Sequence, residues 1–227
     1  MSFEKEHAVQ KETWDTFQAR LKTFSIYDRD KIDFAYQLSK VAHGKQKRIS
    51  GERYFEHPRR STIILLDECK ITNPSIICAT LLHDSLEDTS IFGNPTKMAA
   101  RLFNIHSFQR ISKIFYPETA EIVFSVTEPY VDSIEIKDKV QAKKVKYERL
   151  ENASEEALLV KMADRLDNLR TFFPKEGQKT PEEKIKETRE ILIPIFRRAF
   201  KKYPIETTHM LNEINKAIKV LESSYKI

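Results

Sequence analysis

Glycine is nearly missing from this chain, with 4 residues in 227. That scarcity speaks against the tight turns and bulges of β-rich folds. The 2 cysteines, Cys69 and Cys78, cannot build a disulfide framework, and both fall in apolar runs of helical character,. No apolar stretch approaches the ~18–20 residues needed to cross a bilayer. The start, Met1-Ser2-Phe3-Glu4-Lys5-Glu6, lacks the pattern of a secretory signal,. Internal repeats, low-complexity linkers and a polybasic tail are also missing. These absences lead to the expectation of a soluble, cytoplasmic protein with no membrane partner. At 227 residues the chain suffices for one substantial core and hardly for two,.

Lys, Glu, Leu and Ile are abundant and recur at helical spacings, so the expected fold class is all-α, in a single domain over residues 1–227,. A formal charge of +5, from 39 basic and 34 acidic residues, favours an anionic partner,. On charge alone, a small phosphorylated ligand fits as well as nucleic acid. The apolar spacing of Val9, Trp14, Phe17, Leu21 and Phe24 predicts a first helix over about residues 6–24. A second is expected from Asp28 or Asp30, whose carboxylates suit a cap, to His43-Gly44. A basic loop, 45–57, then leads to a helix beginning at Pro58 and ending before Asn73-Pro74. Gly93-Asn94-Pro95 reads as a turn, followed by a short amphipathic segment with Met98, Leu102 and Phe103. Further helices are expected over about 108–115, 118–127 and 139–150, the last strongly basic, with a polar connection over 128–137. Ser154 caps the next helix, in which Lys161, Asp164, Asn168 and Thr171 fall at i, i+3, i+7 and i+10 and form one polar stripe. Pro194 is expected to kink the helix after Pro181, and a last helix covers about 205–223. The run Arg197, Arg198, Lys201, Lys202 reads as a solvated face.

Chemistry is concentrated in Leu81-Leu82-His83-Asp84-Ser85-Leu86-Glu87-Asp88-Thr89. An apolar run from Ile76 to Leu82 ends by delivering one imidazole and three carboxylates, groups that are costly to bury without partners. On a continuous helix Glu87 lies one turn beyond His83, and Asp88 one turn beyond Asp84. By itself this stretch fits a capped helix end and a metal site equally well. His57, fixed by Pro58, and Asp164, on the polar stripe, enlarge the set to two imidazoles and two carboxylates from three helices. Such a nitrogen and oxygen set suits Mn2+, Fe2+ or Zn2+ and holds no thiolate to enforce zinc.

Several motifs occur in a fixed order. Ala42-His43, Gln46-Lys47-Arg48-Ile49-Ser50-Gly51-Glu52, Tyr54 and His57-Pro58 resemble AHxGQxRxSGEPYxxHP. Leu82-His83-Asp84 with Glu87-Asp88-Thr89 resembles LHDxxEDT, and Ile122-Val123 with Val126-Thr127 resembles IVxxVT. Val160-Lys161-Met162-Ala163-Asp164-Arg165-Leu166 with Asn168-Leu169-Arg170-Thr171 resembles VKLADRLxNxRT. Glu187-Thr188 followed by Pro194 resembles ETxxIxxP. Together they cover about Phe34 to Pro194. The chain thus resembles the HD superfamily of metal-dependent phosphohydrolases and, more narrowly, the hydrolase domain of the RelA/SpoT alarmone enzymes. With no room for their synthetase domain, it is most similar to the small stand-alone alarmone hydrolases.

The resemblance implies an HD-domain helical bundle, with a motif-bearing core over about 28–200 and additional C-terminal helices. It implies one divalent metal, usually Mn2+, on His57, His83, Asp84 and Asp164, with Glu87 and Asp88 positioning or deprotonating the attacking water. Arg48 would stack on the purine base, and Ser50, Asn168 and Thr171 would contact the nucleotide. Lys143, Lys144 and Arg170 would face phosphate. The implied activity is removal of the 3′-pyrophosphate of (p)ppGpp, giving GDP or GTP. The implied partner is therefore a small purine nucleotide; nucleic acid is not expected, and a homo-oligomer is left open. Two other readings stand beside it: the same fold acting on another purine nucleotide, such as (p)ppApp or the 2′-phosphate of NADPH, and a non-catalytic nucleotide sensor or RNA-binding helical protein. Arg53 replaces the family's Pro, Ile49 a common basic residue, and Tyr116-Pro117 a Gly. Asp167 replaces a common His, which puts a hydrogen bond behind the ligands in question. Residues 91–109 look longer than the family pattern and are a candidate lid or oligomer contact.

Overall fold

Helix follows helix along the computed structural model, which describes residues 13–93, 100–127, 139–175, 177 and 179–227. Among these residues the α-helices are α1 Trp14–Ala19, α2 Ile26–Ala42, α3 Glu56–Ile63, α4 Pro74–Leu82, α5 Ser85–Asp88, α6 Ala100–Ile114, α7 Pro117–Val126, α8 Lys139–Glu151, α9 Glu155–Arg170, α10 Pro181–Glu187, α11 Ile193–Phe196 and α12 Pro204–Tyr225. A π-helical turn, Ile64–Glu68, prolongs α3; another, Thr188–Leu192, joins α10 to α11; and a 3-10 turn, Arg197–Lys201, follows α11. The extended pairing among the described residues is a single bridge between Lys47 and Arg53. The all-α expectation holds. No helix among the described residues is long and apolar enough to cross a membrane.

Caps set several boundaries. The Ser25 side chain accepts the Asp28 amide at 3.1 Å, so α2 begins ahead of the expected Asp28 or Asp30. The Asp28 carboxylate accepts instead from the Ser25 hydroxyl (2.7 Å) and the Tyr116 hydroxyl (2.6 Å), tying α2 to the start of α7. Ser154 caps α9 as the sequence suggests, and Asn73, expected only to follow the end of the preceding helix, caps α4,. The expected first helix lies within the described residues only from residue 13; α1 ends at Ala19, and the chain turns over the buried Leu21 and Phe24. Asn94, Pro95, Met98 and residues 128–137 lie outside the described residues. The helix expected over 108–115 is the second half of the longer α6, whose Phe103, Ser107 and Ile111 are buried at spacings of four. Residues 100–109 therefore belong to a helix packed on α7. Where a kink is expected at Pro194, the helix passes through a π turn just before the proline, a residue that cannot donate to the helical ladder,. The basic run after it is not only solvated: Arg198 donates to the carbonyls of Glu151 and Ala153, and Lys202 pairs with Glu156, clamping the α8–α9 junction.

Two helices organise the core. Every residue of α4 from Ser75 to Leu82 is buried, so this helix is apolar all round and lies between α2, α7, α3 and α9,. Eleven of the residues of α9 are buried, and it packs against α12, α3, α7 and α4. Each large aliphatic side chain buried there contributes about 1.5–3 kcal/mol. The same packing takes Asp164 and Asp167 of α9 out of water, where they require charged or hydrogen-bonding partners.

Candidate metal centre

The loop after α2 folds so that Arg48 and Tyr54 approach the start of α3. Arg48 donates its amide to Glu52 (2.9 Å) and Tyr54 to Gln46 (3.0 Å), while Gly51 makes the turn at φ 90°, a region that favours glycine,. His57 follows as the second residue of α3 and is buried. His83 and Asp84 do not sit inside one continuous helix as expected. α4 ends at Leu82, and Asp84 (φ −92°, ψ −5°) precedes the short α5,. The Asp88 amide still reaches the Asp84 carbonyl at 3.0 Å, so this pair keeps its helical relation. Asp164 arrives from α9.

These four side chains meet. His57 Nε2 is 3.1 Å from Asp164 Oδ1 and 3.6 Å from Asp84 Oδ2. His83 Nε2 is 3.2 Å from Asp84 Oδ1 and 3.9 Å from Asp164 Oδ1. Donors bound to one ion at 2.0–2.2 Å sit about 3–4 Å from one another, which is the spacing found here. His83 Nδ1 lies 2.8 Å from the Thr80 carbonyl and must carry the proton to donate to it. His83 Nε2 is then a buried lone pair without a hydrogen-bond partner, facing two carboxylates. A divalent cation resolves that arrangement: His57, His83 and Asp164 each bring one ligand atom within 4.8 Å of the others, with Asp84 beside both imidazoles, so the residues fit a metal with nitrogen and oxygen ligands,.

The surrounding charges are consistent with this. Burial pulls His57 down, but its hydrogen bonds to Asp164 and Asp167 outweigh it and hold the imidazole at about 9. Burial would raise Asp164, yet Lys161, at 2.6 Å, and the two imidazoles hold its carboxyl well below the usual range. Asp84 is likewise lowered, by His83 and His57 against burial.

Sequence reasoning left the residues behind these ligands largely unassigned. At the position where the resemblance put a hydrogen bond in question, Asp167 accepts from His57 Nδ1 and from Arg60 Nε, both at 2.6 Å. Arg60 also forms a fork with Glu52 at 2.9 and 2.8 Å. The position of Arg60 one turn after His57 on α3 was the available signal. The Tyr54 hydroxyl lies 3.0 Å from Asp84 Oδ2 and 2.5 Å from Asp88 Oδ2, linking the two carboxylates. Asp88 itself is raised, by burial first and by Asp84 next among the groups that raise it. Glu87 is half-buried, and its charge acts on Lys161.

The centre opens into a cavity of about 500 Å³, a size that suits a nucleotide,. Arg48, Ser50, Asn168 and Thr171 line it as expected, as do Phe172 and Phe173. Lys47, Lys146, Lys161, Arg165, Lys179 and Lys184 line the same cavity and make it cationic. Arg48 donates to Asn168 at 2.7 Å, and Asn168 to Asp164 at 2.5 Å. Lys143 and Lys144 are not brought in: both are exposed, Lys143 over the Tyr147 ring and Lys144 at 3.7 Å from Glu148. The face of α8 that meets the cavity presents Lys146 instead. Arg170 points elsewhere, held by Glu68 (2.6 and 3.0 Å) and Glu213 (2.8 Å). On the cavity rim, Glu187 accepts from Arg165 (3.0 Å), Lys179 (2.6 Å) and Tyr147.

Comparison with known proteins adds sequence and fold likeness to this geometry. The HD domain profile matches residues 35–199. A guanosine-3′,5′-bis(diphosphate) 3′-pyrophosphohydrolase of Aquifex aeolicus is 33% identical over 211 residues, 85% of this chain and 27% of that protein. A GTP pyrophosphokinase of Brucella ovis is 34% identical over 142 residues, 62% of this chain and 17% of that protein. The chain thus spans about a quarter or less of the length of these curated relatives. A solved structure of a metazoan ortholog of SpoT that hydrolyses ppGpp has a TM-score of 0.58 at 23% identity. The match covers 83% of this chain and 94% of that one, and shows a shared fold.

Proposed function

Because the chain belongs to the HD-domain family, we propose that it is a metal-dependent phosphohydrolase that removes the 3′-pyrophosphate of (p)ppGpp, leaving GDP or GTP. Two imidazoles and two carboxylates meeting at the end of a cationic cavity carry this reading. His57, His83, Asp84 and Asp164 would hold one divalent ion, with Mn2+ as the assigned metal. When bound, that ion supplies a more acidic water and a Lewis acid beside the phosphoryl oxygen. Glu87 and Asp88 are assigned to the water. Asp88, raised by burial and by Asp84 and joined to Asp84 through Tyr54, has the elevated basicity that suits proton transfer,. Arg48, fixed by Asn168 at the cavity wall, is assigned to the purine, since a guanidinium plane stacks where an ammonium cannot,. Ser50 and Thr171 are assigned to the nucleotide, and the lysines and Arg165 lining the cavity to its phosphates. This reading places the protein in the cytoplasm with a small nucleotide as its partner.

The test is a substrate panel of ppGpp, pppGpp, ppApp and NADPH with the Mn2+-loaded protein, reading pyrophosphate against orthophosphate. The expected result is pyrophosphate and GDP from ppGpp. The double variant Glu87→Gln, Asp88→Asn is expected to keep its metal and lose turnover by roughly 10²–10⁴-fold, the usual weight of general acid–base catalysis. Faster release from ppApp, or orthophosphate from NADPH, would move the substrate assignment to another purine nucleotide. Undiminished turnover in the double variant would remove Glu87 and Asp88 from the mechanism.

A further inference from the structure

His57 stands where a chain of polar contacts closes on itself. Its Nδ1 is 2.6 Å from Asp167 Oδ2, and that oxygen is 3.8 Å from the Arg48 guanidinium. Arg48 donates to Asn168 at 2.7 Å, and Asn168 donates to Asp164 Oδ1 at 2.5 Å. Asp164 Oδ1 returns to His57 Nε2 at 3.1 Å. The ring contains two of the four metal-competent side chains and the guanidinium that faces the cavity.

We propose that Asp167 is a positioning residue that joins the metal ligand His57 to the cavity residue Arg48, so that the metal and nucleotide sides of the site are coupled through this ring. The proposal rests on the metal reading given above. Asp167 is only 2% exposed, so water cannot replace a contact that it loses. A carboxylate accepting from one imidazole nitrogen fixes the tautomer that leaves the other nitrogen free for a metal, and strengthens it as a donor. The charge of Asp167 is matched on its other side by Arg60, which the Glu52 fork holds in place. Arg48 is similarly confined: its side chain is 16% exposed and lies within 3.8 Å of Glu52, Asp167 and Asn168. A shift of Arg48 toward a purine therefore reaches His57 through Asp167 on one path and Asp164 through Asn168 on the other.

The experiment titrates metal-free wild-type, Asp167→Asn and Arg48→Ala proteins with Mn2+ by calorimetry, without nucleotide, with thermal melts to establish folding. Asp167→Asn is expected to bind Mn2+ roughly tenfold or more weakly, the usual effect of removing a partner behind a metal-bound histidine. Arg48→Ala, which touches no ion, is expected to weaken Mn2+ by about fivefold or more, the lower range of coupling between sites. Should Asp167→Asn fail to fold, Arg48→Ala on the cavity wall carries the test. Mn2+ affinity within about twofold of wild type in folded Arg48→Ala would overturn the coupling while leaving the metal reading intact. A wild-type chain that takes up no Mn2+ would overturn both.

Discussion

Lys184 is held in a cavity already crowded with positive charge. Burial and then Arg165 push its ammonium down to about 8, with Arg48 adding to the effect. Phosphate arriving beside these groups reverses the balance, so nucleotide binding near pH 8 is expected to take up a proton. Calorimetry in two buffers of different ionisation enthalpy measures that uptake, which Lys184→Met should abolish; equal heats for the wild type would contradict it. Glu187 has the opposite sign. Burial would raise it, but Arg165, Lys179 and Tyr147 hold the folded carboxyl at about 2, against 4.5 ordinarily. Its contribution to stability is therefore complete above pH 4.5 and lost as pH falls toward 2,. Glu187→Gln should flatten the fall of the urea midpoint over that interval. At this scale His57, His83, Asp84 and Asp164 stood out as candidates because residue type, spacing and motif order agreed, and their side chains approach one another. The stripe Lys161, Asp164, Asn168, Thr171 was legible because helical periodicity alone puts it on one face, and all four line the cavity. Lys143 and Lys144 were misplaced relative to Lys146 because a helix with lysines on several faces does not say which face meets the rest. Asp167 became intelligible only when α3 brought His57 and Arg60 against it.

Helices were readable from the sequence where caps and periodicity coincided, as in α9 with Ser154. They were misjudged where a small polar residue outcompeted an acidic one, as Ser25 does at α2. The break between α4 and α5 was not legible, because His83 and Asp84 continue a helical pattern and only the fold sets their turn. The π turns have no simple sequence signal apart from the proline that follows one of them. Arg170 shows how an element can claim a residue that a motif offers to a site. It links α9 to the π turn after α3 and to α12 by its contacts with Glu68 and Glu213. Arg170→Ala removes both ion pairs, leaving Glu68 to His209 and Glu213 to Lys216, and should cost about 1–3 kcal/mol of stability,. Urea denaturation would show this, with the KM for nucleotide unchanged; a raised KM at normal stability would return Arg170 to the phosphates.

For the whole molecule, the all-α class followed from scarce glycine and pervasive helical periodicity, and the described residues agree. The spatial convergence of α3, the α4–α5 junction and α9 on one point could not be derived from periodicity, since it depends on how the buried α4 and α9 pack. The consequence is a metal-competent centre at the end of a cationic cavity. The most direct measurement follows pyrophosphate release from ppGpp while metal-free protein is titrated with Mn2+. Activity is expected to rise in step with metal, to reach its plateau at a single ion per chain, and to vanish together with metal uptake in His83→Ala. Turnover by the metal-free chain, or orthophosphate in place of pyrophosphate, would contradict a metal-dependent 3′-pyrophosphohydrolase.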